Sequence, residues 1–338
     1  MIQKEVNVIL VIGVQLEVNI GIIGYKNHAC RLISIIENIA DCNIKFIYHP
    51  TKNLTDKRFT NDFTKLLTCD GIIISSPNHT HFEYIKKIIP NYKGYIFCEK
   101  PPVTSMKQIN FLKNLSKEEK SKIHFNFNYR FSNLSKIIKT NLNSEQIGKI
   151  IQINIISTHG LAFKKNYEKT WRANGKINKH IVLETVSIHY IDLCTSLFGE
   201  IQTIKYIPSL ISKKGTSFDT SNLLIEYSNG VQVSIFNSYA APFLEDFLIL
   251  GTNGFIRIIG NELKIFSPRD TINKKGFFVV PPIYKKQSIS IDNDYENSLI
   301  KSLSLFINKI KNQEKFDQKN FDSSISSNKI ILKLQNKI

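Results

Sequence analysis

One residue stands where it has the chemistry to move a proton, Lys100. Lys100 follows the short apolar run 94–98 in the order Cys98-Glu99-Lys100-Pro101-Pro102. It leaves the carboxyl end of a buried strand and enters a turn whose direction two prolines fix and in which a cis bond is admissible. A lysine held there beside Glu99, near a bound cofactor, has its pKa drawn toward the working pH and can act as acid or base. The plainer alternative is an exposed turn lysine, in a chain rich in lysine. His189 lies in the stretch 181–197, apolar at helical spacing, where by itself it reads as a core histidine.

A second set of residues has the spacing of a phosphate loop. Gly24-Tyr25-Lys26-Asn27-His28-Ala29 follows the apolar run 19–23 and opens a helix over 27–40. The dinucleotide fingerprint G-x-G-x-x-G/A uses its first glycine for the tight turn and its second for close approach to the pyrophosphate. Its third small residue serves helix–strand packing. Gly24 and Ala29 fill the first and third places, and Lys26 takes the second. On this motif alone, a dinucleotide loop and an ordinary strand–helix turn fit equally. The next strand ends in Tyr48-His49-Pro50-Thr51-Lys52, without the acid that holds a ribose 2′-hydroxyl in NAD enzymes. His49 and Lys52 instead offer positive charge to a 2′-phosphate, which tilts the choice from NAD toward NADP. The third strand ends in Ser75-Ser76-Pro77-Asn78-His79-Thr80-His81, polar residues on the ligand side of an open sheet, where Asn78 or Thr80 serves equally as a helix N-cap.

These residues need a scaffold, and the first third of the chain supplies its pattern. Apolar runs at 19–23, 44–48, 71–75, 94–98 and 122–126 alternate with helical patterns at 27–40, 59–67, 79–89 and 105–115. That rhythm predicts a doubly wound parallel sheet, an α/β domain over residues 1–126, with 1–17 unplaced. Beyond it come a helix at 133–141, a long alternating strand at 149–158, an irregular stretch and the helix at 181–197. Strands follow at 203–207, 221–227, 231–237, 247–250, 255–258 and 263–266, with hairpin turns at Ser228-Asn229-Gly230 and Thr252-Asn253-Gly254. Helices at 296–310 and 323–334 close a second domain, 127–338, of α+β type around an antiparallel sheet.

Composition removes several function classes. Apolar residues make up 42% of the 338 and charged residues 22%, as in a globular protein. The longest apolar stretch, 6–16, is too short to span a bilayer and lacks the cleavage site of a signal peptide. Five scattered cysteines without a C-x-x-C pair predict reduced thiols in a cytoplasm and no metal site. The net charge of +17 invites a nucleic-acid reading, yet only six of the 45 cationic residues are arginine and the lysines spread along the chain amid Ile and Asn. Such a spread reflects A/T-rich codons rather than a phosphate-backbone interface, although the field still favours an anionic ligand.

The motifs in their order resemble the Gfo/Idh/MocA family of oxidoreductases, named for glucose-fructose oxidoreductase and inositol dehydrogenase. They are the Gly24 turn, Ser76-Pro77-Asn78-His79-Thr80-His81, Glu99-Lys100-Pro101, Asn128-Tyr129-Arg130-Phe131, Ser187-Ile188-His189-Tyr190-Ile191-Asp192 and Gly251-Thr252-Asn253-Gly254, together spanning about residues 18–335. The resemblance implies a Rossmann domain followed by a domain with an open, mostly antiparallel sheet that forms a homodimer or homotetramer interface. It implies hydride transfer between NAD or NADP and a hydroxyl or keto carbon of a sugar, nucleotide-sugar or cyclitol. A nucleotide-sugar suits the positive field and would place the reaction in surface-polysaccharide synthesis. Lys100 would contact the substrate hydroxyl and the nicotinamide ribose, and His189 would exchange the hydroxyl proton. Arg130, Trp171 and Arg172 would contact substrate. The cofactor would lie against Gly24, Tyr25, Lys26, Asn27, His28, His49, Ser76, Pro77, Asn78, His81, Glu99, Lys100 and Asn128. The family commonly has an aspartate four residues before the histidine; Thr185 stands here, beside Glu184, and can hydrogen-bond but not ionise, so either Glu184 takes the role or proton transfer relies on His189 and Lys100. Lys26 and Thr185 also motivate a rival reading, a catalytically weakened or non-catalytic NAD(P)- and sugar-binding protein of the same fold.

Overall fold

A computed structural model describes residues 17–52, 56–269, 272–289 and 293–336. The unplaced lead, Glu17 apart, lies outside them. The first sheet contains β1 (Val18–Ile23), β2 (Cys42–Tyr48), β3 (Phe59–Thr60), β4 (Gly71–Ile74), β5 (Tyr95–Glu99) and β6 (Ile123–Asn126). They are parallel, in the order β3-β2-β1-β4-β5-β6. Helices α1 (Asn27–Ile36), α2 (His81–Ile88), α3 (Met106–Lys113) and α4 (Lys117–Lys120) lie in its connections. Strand β4 is buried on both faces, which is why it reads as a continuous run of isoleucine. The order reverses between β1 and β4, so the loops after β1, β4 and β5 open together at the carboxyl edge, where such sheets bind ligands.

The helix expected over 59–67 does not form. Phe59–Thr60 pairs with β2, and Asp62 then accepts the Thr64 amide at 2.9 Å to start a 3₁₀ turn over Phe63–Thr68. A local side-chain cap wins over weak helical periodicity here.

The second part contains α5 (Asn133–Thr140), β7 (Asn143–Ser144), β8 (Gly148–Thr158), α6 (Ile188–Phe198), β9 (Ile201–Ser209), β10 (Thr220–Tyr227), β11 (Gln232–Ser238), β12 (Leu244–Gly251), β13 (Phe255–Ile259), β14 (Glu262–Phe266), β15 (Ile283–Ser288), α7 (Asp294–Lys311) and α8 (Gln318–Gln335). The sheet runs β15-β14-β13-β12-β8-β11-β10-β9, with β7 beside β8; only β8 and β11 pair in parallel. One face buries Ile153, Ile155, Leu223, Ile225, Val233, Ile235, Phe247 and Ile249, while the other stays half open. Strand β15 carries almost entirely exposed side chains, so it leaves no period-two signal.

Helix α7, expected to close the second part, lays its apolar face on the first sheet instead. Leu299, Leu303, Phe306, Ile307 and Ile310 pack with Ile20, Ile22, Ile73 and Phe97, and the Phe306 and Phe97 rings meet edge-on at 5.3 Å. Helical periodicity identifies an apolar face but cannot name the sheet that receives it. The same helix buries Ser298 and Ser302. Ser302 donates to Asn126 Oδ1 at 2.8 Å and Ser298 accepts from Asn128 Nδ2 at 2.7 Å, which pins the end of β6. Phe306→Ala removes this ring from a fully packed site and is expected to cost about 3–5 kcal/mol, read as a lower melting temperature.

Candidate active site

Gly24 has φ +111°, and a Cβ there would stand 2.6 Å from the Ser75 carbonyl oxygen. Only glycine lets the end of β1 pass this close to the end of β4. Lys26 follows as the extended N-cap residue of α1, without a side-chain cap, and no acid occupies the first turn. The leading amides of Asn27, His28 and Ala29 therefore form the kind of helix start that receives a phosphate. Tyr25 packs edge-on against Phe59 at 4.9 Å. His49 turns inward, its Nδ1 accepting the Thr51 and Lys52 amides at 3.3 and 3.1 Å. Partial burial, with Lys52 and Lys26 nearby, lowers its pKa, so the positive charge beyond the end of β2 comes from the two lysines and not, as expected, from His49. These residues fit a dinucleotide: an uncapped helix start for the pyrophosphate and a basic corner beside it.

The loops after β4 and β5 are latched by His81, which is fully buried; its Nδ1 and Nε2 face the carbonyl oxygens of Pro101 and Ser76 at 2.9 and 2.8 Å. The ring therefore shapes the pocket from behind. Ser76 and Thr80 share a hydrogen bond of 2.7 Å, Pro77 is exposed, and the Asn78 side chain reaches Glu184. The Lys100–Pro101 bond is cis. Glu99 is buried, 2.8 Å from His28 Nε2 and accepting Asn126 Nδ2 at 2.6 Å. Burial opposes its ionisation, but His28, Asn126 and Lys100 outweigh that effect and hold the carboxyl down at about 2.

Lys100 Nζ donates to the Thr185 carbonyl at 3.0 Å. That carbonyl belongs to a π-helical turn, Leu183–Ser187, which precedes α6; such widened turns recur at functional sites. The lysine is mostly buried but keeps some contact with solvent. Burial lowers its pKa to about 8, with Arg172 pushing the same way against Glu99 and Glu184. The Thr185 hydroxyl donates to the Ile181 carbonyl at 2.5 Å and meets the Tyr239 hydroxyl at 2.5 Å. Its single proton is thus committed within the helix. Glu184 accepts from Asn178 Nδ2 at 2.5 Å and from Gln335; burial raises its pKa against these bonds and against Lys100. Of the two support candidates, Glu184 is the ionisable one that feels Lys100. His189 is 5% exposed, its ring stacked on Tyr129 at 4.5 Å. Burial first, then Lys100 and His28, keep it neutral. Its Nδ1 is buried without a hydrogen-bond partner among the described residues, so no carboxylate fixes its tautomer there.

Residues 18–127 match the family model described as oxidoreductase family, NAD-binding Rossmann fold, and residues 136–257 match the GFO/IDH/MocA C-terminal domain. The chain belongs to the Gfo/Idh/MocA family of oxidoreductases. It is 27% identical over 188 residues to glucose-6-phosphate 3-dehydrogenase of Bacillus subtilis, a match spanning 53% of this chain and 53% of that protein, so about half of the relative's length. The fold is also that of the solved myo-inositol dehydrogenase from Corynebacterium glutamicum (TM-score 0.73, 18% identity, covering 95% and 96% of the two chains). Levoglucosan dehydrogenase, solved with NADH and levoglucosan, superposes with a TM-score of 0.75 at 18% identity, covering 95% and 97%.

Several residues that the Gfo/Idh/MocA resemblance assigns to ligands are committed to the protein itself. Arg130 forms a two-pronged pair with Asp192 (Nε to Oδ2 2.7 Å, Nη2 to Oδ1 2.6 Å) and also donates to Asn320. Its guanidinium ties the turn after β6 to α6 and α8 rather than facing a substrate. Asn128 is buried against Ser298, and Glu99 and His28 face each other, so the contribution of these three is to hold the loop frame. Arg172 lies within electrostatic reach of Lys100 and Tyr239, its guanidinium 4.6 Å over the indole of the exposed Trp171. Tyr239 and His159 escaped the sequence reading, and Tyr129 entered it only within the Asn128-Tyr129-Arg130-Phe131 motif. Tyr239 and His159 follow alternating strands as unremarkable residues, and only the neighbouring ends of β8 and β11 bring their rings to 4.6 Å. Among the described residues, no His, Cys, Asp and Glu group could hold a metal ion and no helix is long and apolar enough to cross a membrane. Arg130→Met is expected to leave Asp192 as an uncompensated buried charge and to destabilise the fold by about 3–5 kcal/mol in thermal or denaturant unfolding.

Proposed function

We propose that this oxidoreductase passes hydride between a nicotinamide dinucleotide, NADP in preference to NAD, and a hydroxyl-bearing or keto carbon of a sugar, a sugar derivative or a cyclitol. The observation that carries this reading is the pairing of a lysine with its pKa drawn to about 8 and a neutral, buried histidine within its electrostatic reach. The nicotinamide, when bound, supplies the hydride acceptor or donor. The chain's own residues handle the proton and the charge. Below pH 8 Lys100 is an ammonium and exchanges the Thr185 carbonyl for the reacting substrate oxygen, stabilising negative charge as it develops there. His189, neutral at working pH, accepts the hydroxyl proton, and stacking on Tyr129 fixes its ring plane. Lys26 and Lys52, close enough to His49 to lower its pKa, support the NADP preference. The relatives, glucose-6-phosphate 3-dehydrogenase and the inositol and levoglucosan dehydrogenases, support a sugar or cyclitol substrate. The unpaired cysteines suit a reducing cytoplasm.

The rival reading, a binding protein with weakened turnover, has one observation in its favour: Thr185 replaces an acid and the His189 Nδ1 is left unpartnered. Titration with NADPH and NADH, followed by fluorescence, is expected to show binding with NADPH the tighter. Lys100→Met and His189→Ala should then each abolish turnover on a sugar panel. Cofactor binding without turnover on any sugar would favour the rival.

The sign of the pH dependence follows from the roles. The rate of alcohol oxidation is expected to be flat near neutrality and to fall as pH rises through about 8, where Lys100 loses its proton. A rate that instead climbs through this pH would make Lys100 the base.

Ile151, Ile207 and Leu224 are exposed on the second sheet, which supports a homodimer or homotetramer through that sheet. Light scattering should find more than one chain per particle, and Leu224→Glu should shift the population toward monomer.

A further inference from the structure

The loop that carries Trp171 and Arg172 is held firmly in place. Ala173 is buried, its carbonyl accepts the Thr216 amide at 2.8 Å, and the Gly175 amide donates to Thr216 Oγ1 at 2.8 Å. A Cβ on Gly175 or Gly215 would fall 2.4 Å from the opposing backbone, so these two segments lie in direct contact. Arg172 is thus presented from a fixed frame. Its guanidinium rests on Trp171 within electrostatic reach of Tyr239, whose hydroxyl meets Thr185, whose carbonyl holds Lys100.

Arg172 makes no ion pair among the described residues, whereas Arg58, Arg130 and Arg257 each face a carboxylate. It also lies close enough to Lys100 and His159 to repel positive charge on both. Glu184, a nearby acid, is occupied by Asn178, Gln335 and Asn78. Between residues 159 and 183 the chain has Glu168 as its single acid against Arg172 and the exposed Lys164, Lys165, Lys169, Lys176 and Lys179. Two cations gathered in a mostly buried site, one without a carboxylate and with a lysine rim outside, form an arrangement that an anion relieves. A planar guanidinium fixed on an aromatic ring is suited to the forked oxygens of a phosphoryl group.

We propose that Arg172 binds a phosphoryl group of the substrate, so that the sugar oxidised or reduced here is a phosphorylated one. This rests on the dehydrogenase reading of the same site but is tested apart from it. The phosphoryl group could belong to a sugar monophosphate or to a nucleoside-diphosphate sugar, and the trials below separate these.

Trp171 is the single tryptophan of the chain and lies against the proposed site, so its emission reports ligand arrival without turnover. The full chain, saturated with NADP⁺, is titrated with inorganic phosphate, a hexose, the hexose 6-phosphate and the nucleoside-diphosphate hexose. Saturable changes in emission are expected with the phosphorylated ligands, and little with the free hexose. Arg172→Met should weaken phosphorylated ligands about ten- to a hundredfold, with Arg172→Lys intermediate, while melting temperature and NADP⁺ affinity stay unchanged. The stronger of the two sugar ligands identifies the source of the phosphoryl group. Equal binding of hexose and hexose phosphate, or phosphate binding untouched by Arg172→Met, overturns the proposal. Turnover of neutral sugars without any phosphate response overturns it and leaves the dehydrogenase intact. A phosphate response without turnover on any sugar upholds the site and removes the dehydrogenase.

Discussion

A lysine ammonium drawn largely out of water needs hydrogen-bond acceptors and opposite charge, and the two halves of this chain are arranged to provide both. Lys100 arrives from the end of β5 in the first sheet, and its nitrogen is received by the Thr185 carbonyl in the π-helical turn that precedes α6. Glu99 next to it is kept ionised by His28 and Asn126, so negative charge is fixed at its side. Glu184 adds a second carboxylate whose ionisation burial resists. The lysine is therefore balanced: burial and Arg172 draw its proton off, and two carboxylates hold it on. A group poised in this way can donate or release a proton near neutrality, which an exposed lysine cannot do.

Much of the remaining structure keeps that balance in register. His81 ties the loop after β4 to the loop after β5, so the two edges of the crevice cannot drift apart independently. Helix α7 returns from the far end of the chain to cover the first sheet, and its buried serines grip Asn126 and Asn128. The Arg130–Asp192 pair then joins the following turn to α6, the helix that carries His189. Such a buried pair does little for net stability compared with an apolar replacement, but losing either partner is costly, so it fixes the geometry. The polar groups near the site thus divide into two sets. One set is satisfied by protein and sets positions; the other, with Lys100, His189 and Arg172, keeps capacity for a ligand.

The parallel sheet was legible in the sequence because every one of its central strands is a buried apolar run bounded by a turn, and Gly24 announced its loop by type and place. The motif order Gly24, Ser76 to His81, Glu99 to Pro101 and His189 likewise survived into one crevice, since each lies at a strand's carboxyl end or on the helix facing it. What failed had local causes. The stretch 59–67 became a short strand and a capped turn because Asp62 engaged the Thr64 amide. Strand β15 was invisible because its side chains face solvent.

Sequence by itself determined which residue types stand at each strand end, and hence the fold class, because apolar periodicity and turn chemistry are local properties. Tertiary structure alone decided which of the polar residues remain available. Arg130 and Arg172 are the same side chain on two turns of similar character; one meets Asp192 across 62 residues of chain and becomes a strut, while the other finds no carboxylate among the described residues and stays open to a ligand. Charge compensation depends on neighbours brought from far along the chain, and no spacing rule within the sequence encodes it.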